Sequence, residues 1–162
     1  MISLSVTELF TFFQEHSVCD SLTKAEVERL MPFLQEKTYA GKELVFERGD
    51  ITDSLNLIVD GKVEFIGHAE DAGAVGEQHV GTLVGEMSFF DRKPRNLRMI
   101  AGHKGAKMLY LTRAMYDRLK VEEPFIAVNI LENAIVSLDE LIRHMGDDIS
   151  TLGHYMHGFG KQ

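Results

Sequence analysis

At 162 residues the chain is one domain of ordinary size, long enough to bury a full core. Its composition, 44% hydrophobic and 26% charged, excludes a disordered or membrane-embedded chain, and no apolar run approaches the length of a bilayer span. A formal net charge of −8 argues against broad affinity for nucleic acid, which needs a large cationic surface to neutralise phosphates.

The N-terminal residues MISLSVTELF have no cationic region ahead of their apolar ones, so a secretory signal is not expected. Residues 5–35 read as helical. Leu9, Phe10, Phe12 and Phe13 crowd one amphipathic turn, and after a break at SVCDSL the stretch TKAEVERLMPFL follows. There Thr23 and Glu26 have capping-box spacing, and Val27, Leu30, Met31 and Leu34 form the stripe of a helix packed on a core. Pro32 should kink or tighten the last turn. Cys19, the single cysteine, cannot form an internal disulfide, which suits a reducing cytoplasm.

From Tyr39 to Leu111 the period changes. ELVFER, LNLIVD, KVEFIG and KMLYLT are short, β-branched or aromatic segments. Turns are expected at Gly49-Asp50, at Asp60-Gly61 and in the loose stretch 67–78. Many short strands at regular intervals predict an antiparallel sandwich or barrel. LTRAMYDRL then predicts a short helix capped by Thr112. A long helix follows, with Pro124 at its start and Glu122 and Glu123 just before it. Along it Val128, Leu131, Ile135, Leu138, Ile142 and Met145 recur at three- and four-residue steps, a heptad seam. Ile130, Ala134 and Leu141 add a second apolar flank, so one surface can lie on the domain while the seam wants a partner helix. The helix is expected to end at Gly146-Asp147-Asp148, leaving 146–162 as a tail.

The one place where this acidic chain gathers positive charge is VGEMSFFDRKPRNLR, residues 84–98, with Arg92, Lys93, Arg95 and Arg98 against Glu86 and Asp91. Gly85 before a single helical turn lets backbone approach a ligand, and the N–H groups opening that turn attract an anion. Arginine offers a planar fork that matches two phosphate oxygens. A glutamate beside a phosphate site would repel the phosphate but can accept from a sugar hydroxyl next to it. One cation and one carboxylate fit a nucleotide with a single phosphodiester better than a triphosphate, because no P-loop lysine motif is present.

Together with GKELVFERGDITDSLNLIVDGKVEF and GTLVGEMSFFDRKPR, this frame resembles the cyclic nucleotide-binding domain family of catabolite-activator-type regulators and cyclic-nucleotide-dependent kinase regulatory subunits. The resemblance covers residues 1–145. It implies a mainly β fold with flanking helices: an eight-stranded antiparallel β-roll (a double-stranded β-helix or jelly roll) at 39–111, helices at 5–35, and C-terminal helices at 112–145. By the same resemblance Gly85, Glu86, Met87, Ser88, Arg95 and Asn96 hold the ligand. Glu86 would take the ribose 2′-hydroxyl and Arg95 the cyclic phosphate, with main-chain N–H groups around Met87, Ser88 and Asn96 completing the cradle. Asn96, Leu97 and Arg98 stand where members commonly carry small residues and a Ser or Thr. Asn133, Ser137, Glu140 and Arg143 are polar candidates for base contacts.

Other signals carry less. A metal-binding cupin would need a His-x-His pair with a downstream glutamate; His68, His79 and His103 are isolated, and His154 and His157 lie in a glycine-rich tail. Cys19 reads as a half-buried filler. Phe89 and Phe90 read as packing beneath the turn. No serine sits in a nucleophile motif, so no enzyme is expected. The expectation is a stand-alone cytoplasmic sensor of cyclic AMP or cyclic GMP with no metal or cofactor. It would act through a homodimer along the seam or through a protein partner, without direct DNA binding, since 17 residues after Met145 are too few for a helix-turn-helix. A non-binding, dimerising adaptor that keeps the roll as scaffold is the alternative, with a cupin-type enzyme third.

Overall fold

The computed structural model describes residues 1–67 and 73–158, with side chains through 147. Two helices, α1 (Val6–Glu15) and α2 (Lys24–Leu30), open the chain. Each starts in a capping box: Ser5 with Glu8, and Thr23 with Glu26, exchange side-chain and main-chain hydrogen bonds reciprocally. Leu9 and Phe13 point inward from α1, Val27 and Leu30 from α2. Pro32 lies in the first turn of a short 3₁₀ helix, Met31–Phe33, that closes this segment, as its missing N–H allows.

Six strands follow among the described residues: β1 (Gln35–Tyr39), β2 (Leu44–Phe46), β3 (Ser54–Ile66), β4 (Ala74–His79), β5 (Leu83–Val84) and β6 (Arg98–Thr112). All pairings are antiparallel, in the order β1-β6-β3-β4, with β2 also on β6 and β5 also on β3. The strand number departs from the eight expected because β3 and β6 run long, through bulges: β3 joins LNLIVD and KVEFIG in one strand, and β6 extends well ahead of KMLYLT. Asp60-Gly61 is accordingly not a hairpin turn. Gly61, at φ +74, lets β3 bend while it continues, and a Cβ there would collide with the Gly105 carbonyl at 2.2 Å. β1 begins inside the segment expected to be helical. Its polar residues QEKTY become a strand because β6 offers partners from Gln35↔Tyr110 to Tyr39↔Ala106. β4 likewise emerges from the loose stretch by pairing with β3, from Lys62↔His79 to Ile66↔Ala74.

Between β5 and β6 sits α3 (Glu86–Asp91), and α4 (Arg113–Glu122) and α5 (Pro124–Gly158) follow β6. Thr112 caps α4 by accepting from the Met115 N–H. α5 does not stop at Gly146, because a helix already nucleated propagates through one glycine at a cost of only about 1 kcal/mol. The 146–162 tail is therefore helical through Gly158. His68, and the side chains of His154 and His157, lie outside the described residues.

The core has two parts. One joins α1, α2, the inner faces of β3 and β6, Phe89, and Ile126, Ala127 and Ile130 of α5. The other fills the roll, with Ile58, Val63, Met99, Ala101 and Met108 nearly or wholly buried. Each such large side chain contributes about 1.5–3 kcal/mol by leaving water. Cys19 belongs to the first part and is buried outright, beyond the half-burial expected; desolvation pushes its thiol up to about 12.

Candidate functional site

α3 and the loop after it form the site. Gly85 precedes the helix at φ +89, ψ 0, a conformation that side chains rarely adopt. A Cβ at this position would stand 2.9 Å from Arg95 Nη2 and 3.2 Å from Asn56 Nδ2. The glycine thus makes room for the arginine. The first main-chain bond of α3 runs from Phe89 N–H to Gly85 O, so the N–H groups of Met87 and Ser88 have no partner within the helix. Met87 itself is exposed, and so is Asn96, in the bend after Arg95.

Arg95 is held from several sides. Its N–H donates to the Asp50 carbonyl and its own carbonyl accepts from Gly49 N–H, both at 2.9 Å, which ties it to the expected Gly49-Asp50 turn. Its Nε donates to Thr52 Oγ1, and its guanidinium lies 4.1 Å from the centroid of the Phe46 ring. Thr52 is 2% exposed, and its own N–H donates to Ser88 Oγ at 2.8 Å. Ser88 Oγ donates in turn to the Lys93 carbonyl, so this hydroxyl braces α3 and the loop after it, the cassette of residues 85–96, and is not free for a ligand. Arg95 Nη2 is buried without a hydrogen-bond partner.

Glu86, 7% exposed, accepts from its own N–H and, at 3.0 Å through Oε1, from Ser137 Oγ of α5. Burial is the largest influence on its carboxyl and holds it above the usual carboxylate range; its N–H, Ser137 and the charge of Arg95 pull the other way. Burial also lowers Arg95 from its ordinary value, against the charges of Glu86 and Asp50. Glu86 and Arg95 are not among the ion pairs within 4.0 Å, which removes the ordinary salt bridge as an account of either. A second buried guanidine nitrogen, Arg113 Nε, also lacks a hydrogen bond, but it has the Asp53 carboxylate at 3.5 Å and Phe89 stacked beneath its guanidinium. Arg95 has no such carboxylate in contact. A buried carboxyl and a guanidinium with one buried, unpartnered nitrogen, near enough for each charge to act on the other without forming an ion pair, can serve the two polar ends of a small ligand.

The remaining candidates separate. Arg98 is taken by Glu47 through bonds of 3.0 and 2.9 Å, so it adds nothing to an anion site. Leu97 is half-buried and belongs to neither apolar cluster. Phe89 is fully buried, edge-on to Phe90 and Tyr116, while Phe90 is partly exposed. Of the polar residues proposed for the base, Asn133 accepts from the Cys19 N–H at 2.9 Å, Arg143 pairs with Asp139, Glu140 is exposed, and Ser137 is on Glu86. Thr52, Phe46 and Asn56 were not anticipated. They come from β2, β3 and the loop between, with no local motif to announce them. Among the described residues no group of three His, Cys, Asp or Glu side chains could hold a metal, and no helix is long and apolar enough to cross a membrane.

This fold and cassette define a cyclic nucleotide-binding domain. The model of that family, described as "Cyclic nucleotide-binding domain", matches residues 36–119, just over half of the chain, and the chain belongs to it. Solved structures share the fold. A cyclic nucleotide-binding domain from Methylobacillus flagellatus KT aligns at TM-score 0.78 and 22% identity, over 88% of this chain and 83% of that one. The catabolite activator protein of Thermus thermophilus aligns at 0.67 and 24%, over 88% and 62%. The regulatory domain of Toxoplasma gondii PKA, in complex with cAMP, aligns at 0.60 and 16%, over 80% and 49%. No curated protein matches the sequence.

Proposed function

We propose that this chain is a cyclic nucleotide sensor that acts by binding and not by catalysis. Arg95 takes the cyclic phosphate and Glu86 the ribose 2′-hydroxyl. Gly85, Met87, Ser88 and Asn96 supply main-chain surface and N–H groups rather than side chains. The observation that carries this reading is Arg95 Nη2, buried, unpartnered and reached across Gly85, with a buried carboxylate nearby that does not neutralise it. A buried donor left unsatisfied costs about 1–3 kcal/mol, and a phosphate oxygen would remove that cost. Cyclic AMP is the first ligand to test, as the one held by the Toxoplasma gondii domain, and cyclic GMP the second.

Output runs through α5. Val128, Leu131, Ile135, Ile142 and Met145 are exposed on a single chain and Leu138 is half-buried, which supports a homodimer packed along this seam. Nucleotide can change that dimer, or its grip on a protein partner, only by favouring one arrangement of α5 over another. A partner protein fits the net charge of −8 better than DNA does, and a cytoplasmic setting accords with the lone cysteine. One observation favours the non-binding adaptor instead: Glu86 is already covered, with Ser137 upon it.

Calorimetric titration with both nucleotides decides between them. Wild type should bind one, and Arg95→Ala should lose roughly ten-fold or more, the equivalent of a charge-assisted contact worth about 1.5–3 kcal/mol. Wild type that binds neither leaves the adaptor.

A further inference from the structure

We infer that Ser137 of α5 is a positioning residue for the ribose-binding carboxylate, not a contact to the base: its hydroxyl fixes Glu86 Oε1 and leaves the rest of that carboxylate to the 2′-hydroxyl. This rests on the nucleotide-binding reading above. The Ser137 hydroxyl carries one proton and has two acceptors in range, Glu86 Oε1 at 3.0 Å and the Leu83 carbonyl at 3.5 Å. The shorter contact is also the one to a charged acceptor, so the proton goes to Glu86. No other side chain donates to Glu86 among the described residues. A carboxylate has about four lone-pair sites. With one on its own N–H and one on Ser137, Glu86 keeps capacity for a further donor.

Ser137 arrives there because α5 is keyed in rotation and height. Asn129, Asn133 and Ser137, four residues apart, share one face of the helix. Asn129 Nδ2 donates to Ser21 Oγ, and Asn133 Oδ1 accepts from the Cys19 N–H at 2.9 Å while its Nδ2 donates to the Asn129 carbonyl at 2.8 Å. The loop between α1 and α2 thus sets the register in which Ser137 meets a residue 51 positions earlier. Rotation of α5 by one residue would turn the hydroxyl about 100° away from the carboxylate.

Calorimetry on full-length wild type, Ser137→Ala and Ser137→Thr, with cyclic AMP, cyclic GMP and the 2′-deoxy form of each, tests the assignment. Ser137→Ala should weaken the ribose-bearing ligand by roughly five-fold, the worth of one hydrogen bond, and leave its 2′-deoxy form within about two-fold of wild type. Ser137→Thr, which keeps the hydroxyl, should restore binding. Equal loss for both forms, or no loss for either, overturns the role. Wild type that binds no cyclic nucleotide refutes the sensor reading and is distinguishable. The positioning bond is then read by carbon NMR of the Glu86 carboxyl, whose titration midpoint should rise in Ser137→Ala; an unchanged midpoint overturns it.

Discussion

Gly85 and Glu86 place opposite demands on two neighbouring positions. At Gly85 a side chain would have to accept φ +89 and push against Arg95 Nη2 at 2.9 Å. Gly85→Ala should therefore cost about 1–2 kcal/mol in stability from the backbone alone and also dislodge the arginine. Thermal melts should fall and nucleotide affinity should drop together. Glu86 carries its cost in charge. A carboxyl raised by burial binds its proton more tightly folded than unfolded, so the fold loses stability as pH rises from the ordinary 4.5 towards the folded value. Above that window the cost is fully present; below 4.5 both states are protonated and it vanishes. Glu86→Gln should melt higher than wild type at neutral pH, by a margin that shrinks on acidification and levels off below the ordinary carboxylate value. With Glu86 as the proposed acceptor for the ribose hydroxyl, the same variant should also bind nucleotide less well.

At the level of elements, α3 is braced by its surroundings more than by its own six residues. Ser88 Oγ links the Thr52 N–H to the Lys93 carbonyl, Phe89 packs between Arg113 and Tyr116, and Arg113 donates to the Phe89 carbonyl. The contacts of Phe89 with Arg113 and Tyr116 join α3 to α4. α2 differs: it is started by its own chemistry. Thr23→Ala removes the side-chain acceptor for the Glu26 N–H and should lower stability by about 1 kcal/mol, read as a lower denaturation midpoint with unchanged slope.

At the scale of the whole molecule, α5 has one flank covered by its own domain and one left exposed. Its inner flank, Ile126, Ala127, Ile130 and Ala134, is buried on the domain, while Ile135 and Ile142 are 58% and 67% exposed. Ile135→Glu would place a charge from each chain in the proposed homodimer seam. Sedimentation should find wild type dimeric and this variant monomeric, with circular dichroism unchanged because the residue contributes nothing to the core of one chain. A wild-type monomer would remove the dimer from the mechanism and leave a partner protein as the output.

Features that depend on residues within a few positions were legible in the sequence: the Thr23–Glu26 box, the Thr112 cap, Pro124 opening α5, and the Gly-Glu to Pro-Arg frame. Ser5–Glu8 follows the same rule. Strand extent was not legible, because β1 is polar and β4 largely exposed; each exists only through pairing with β6 or β3. The site divides in the same way. Arg95 and Glu86 were visible as chemistry, but Thr52 reaches Arg95 across 43 positions and Ser137 reaches Glu86 across 51. Local bonding is written in spacing, and spacing survives without a fold. Whether a guanidinium is left unpaired, or a carboxylate is held by a serine, depends on which distant surfaces exclude water around it, and only the closed tertiary structure decides that.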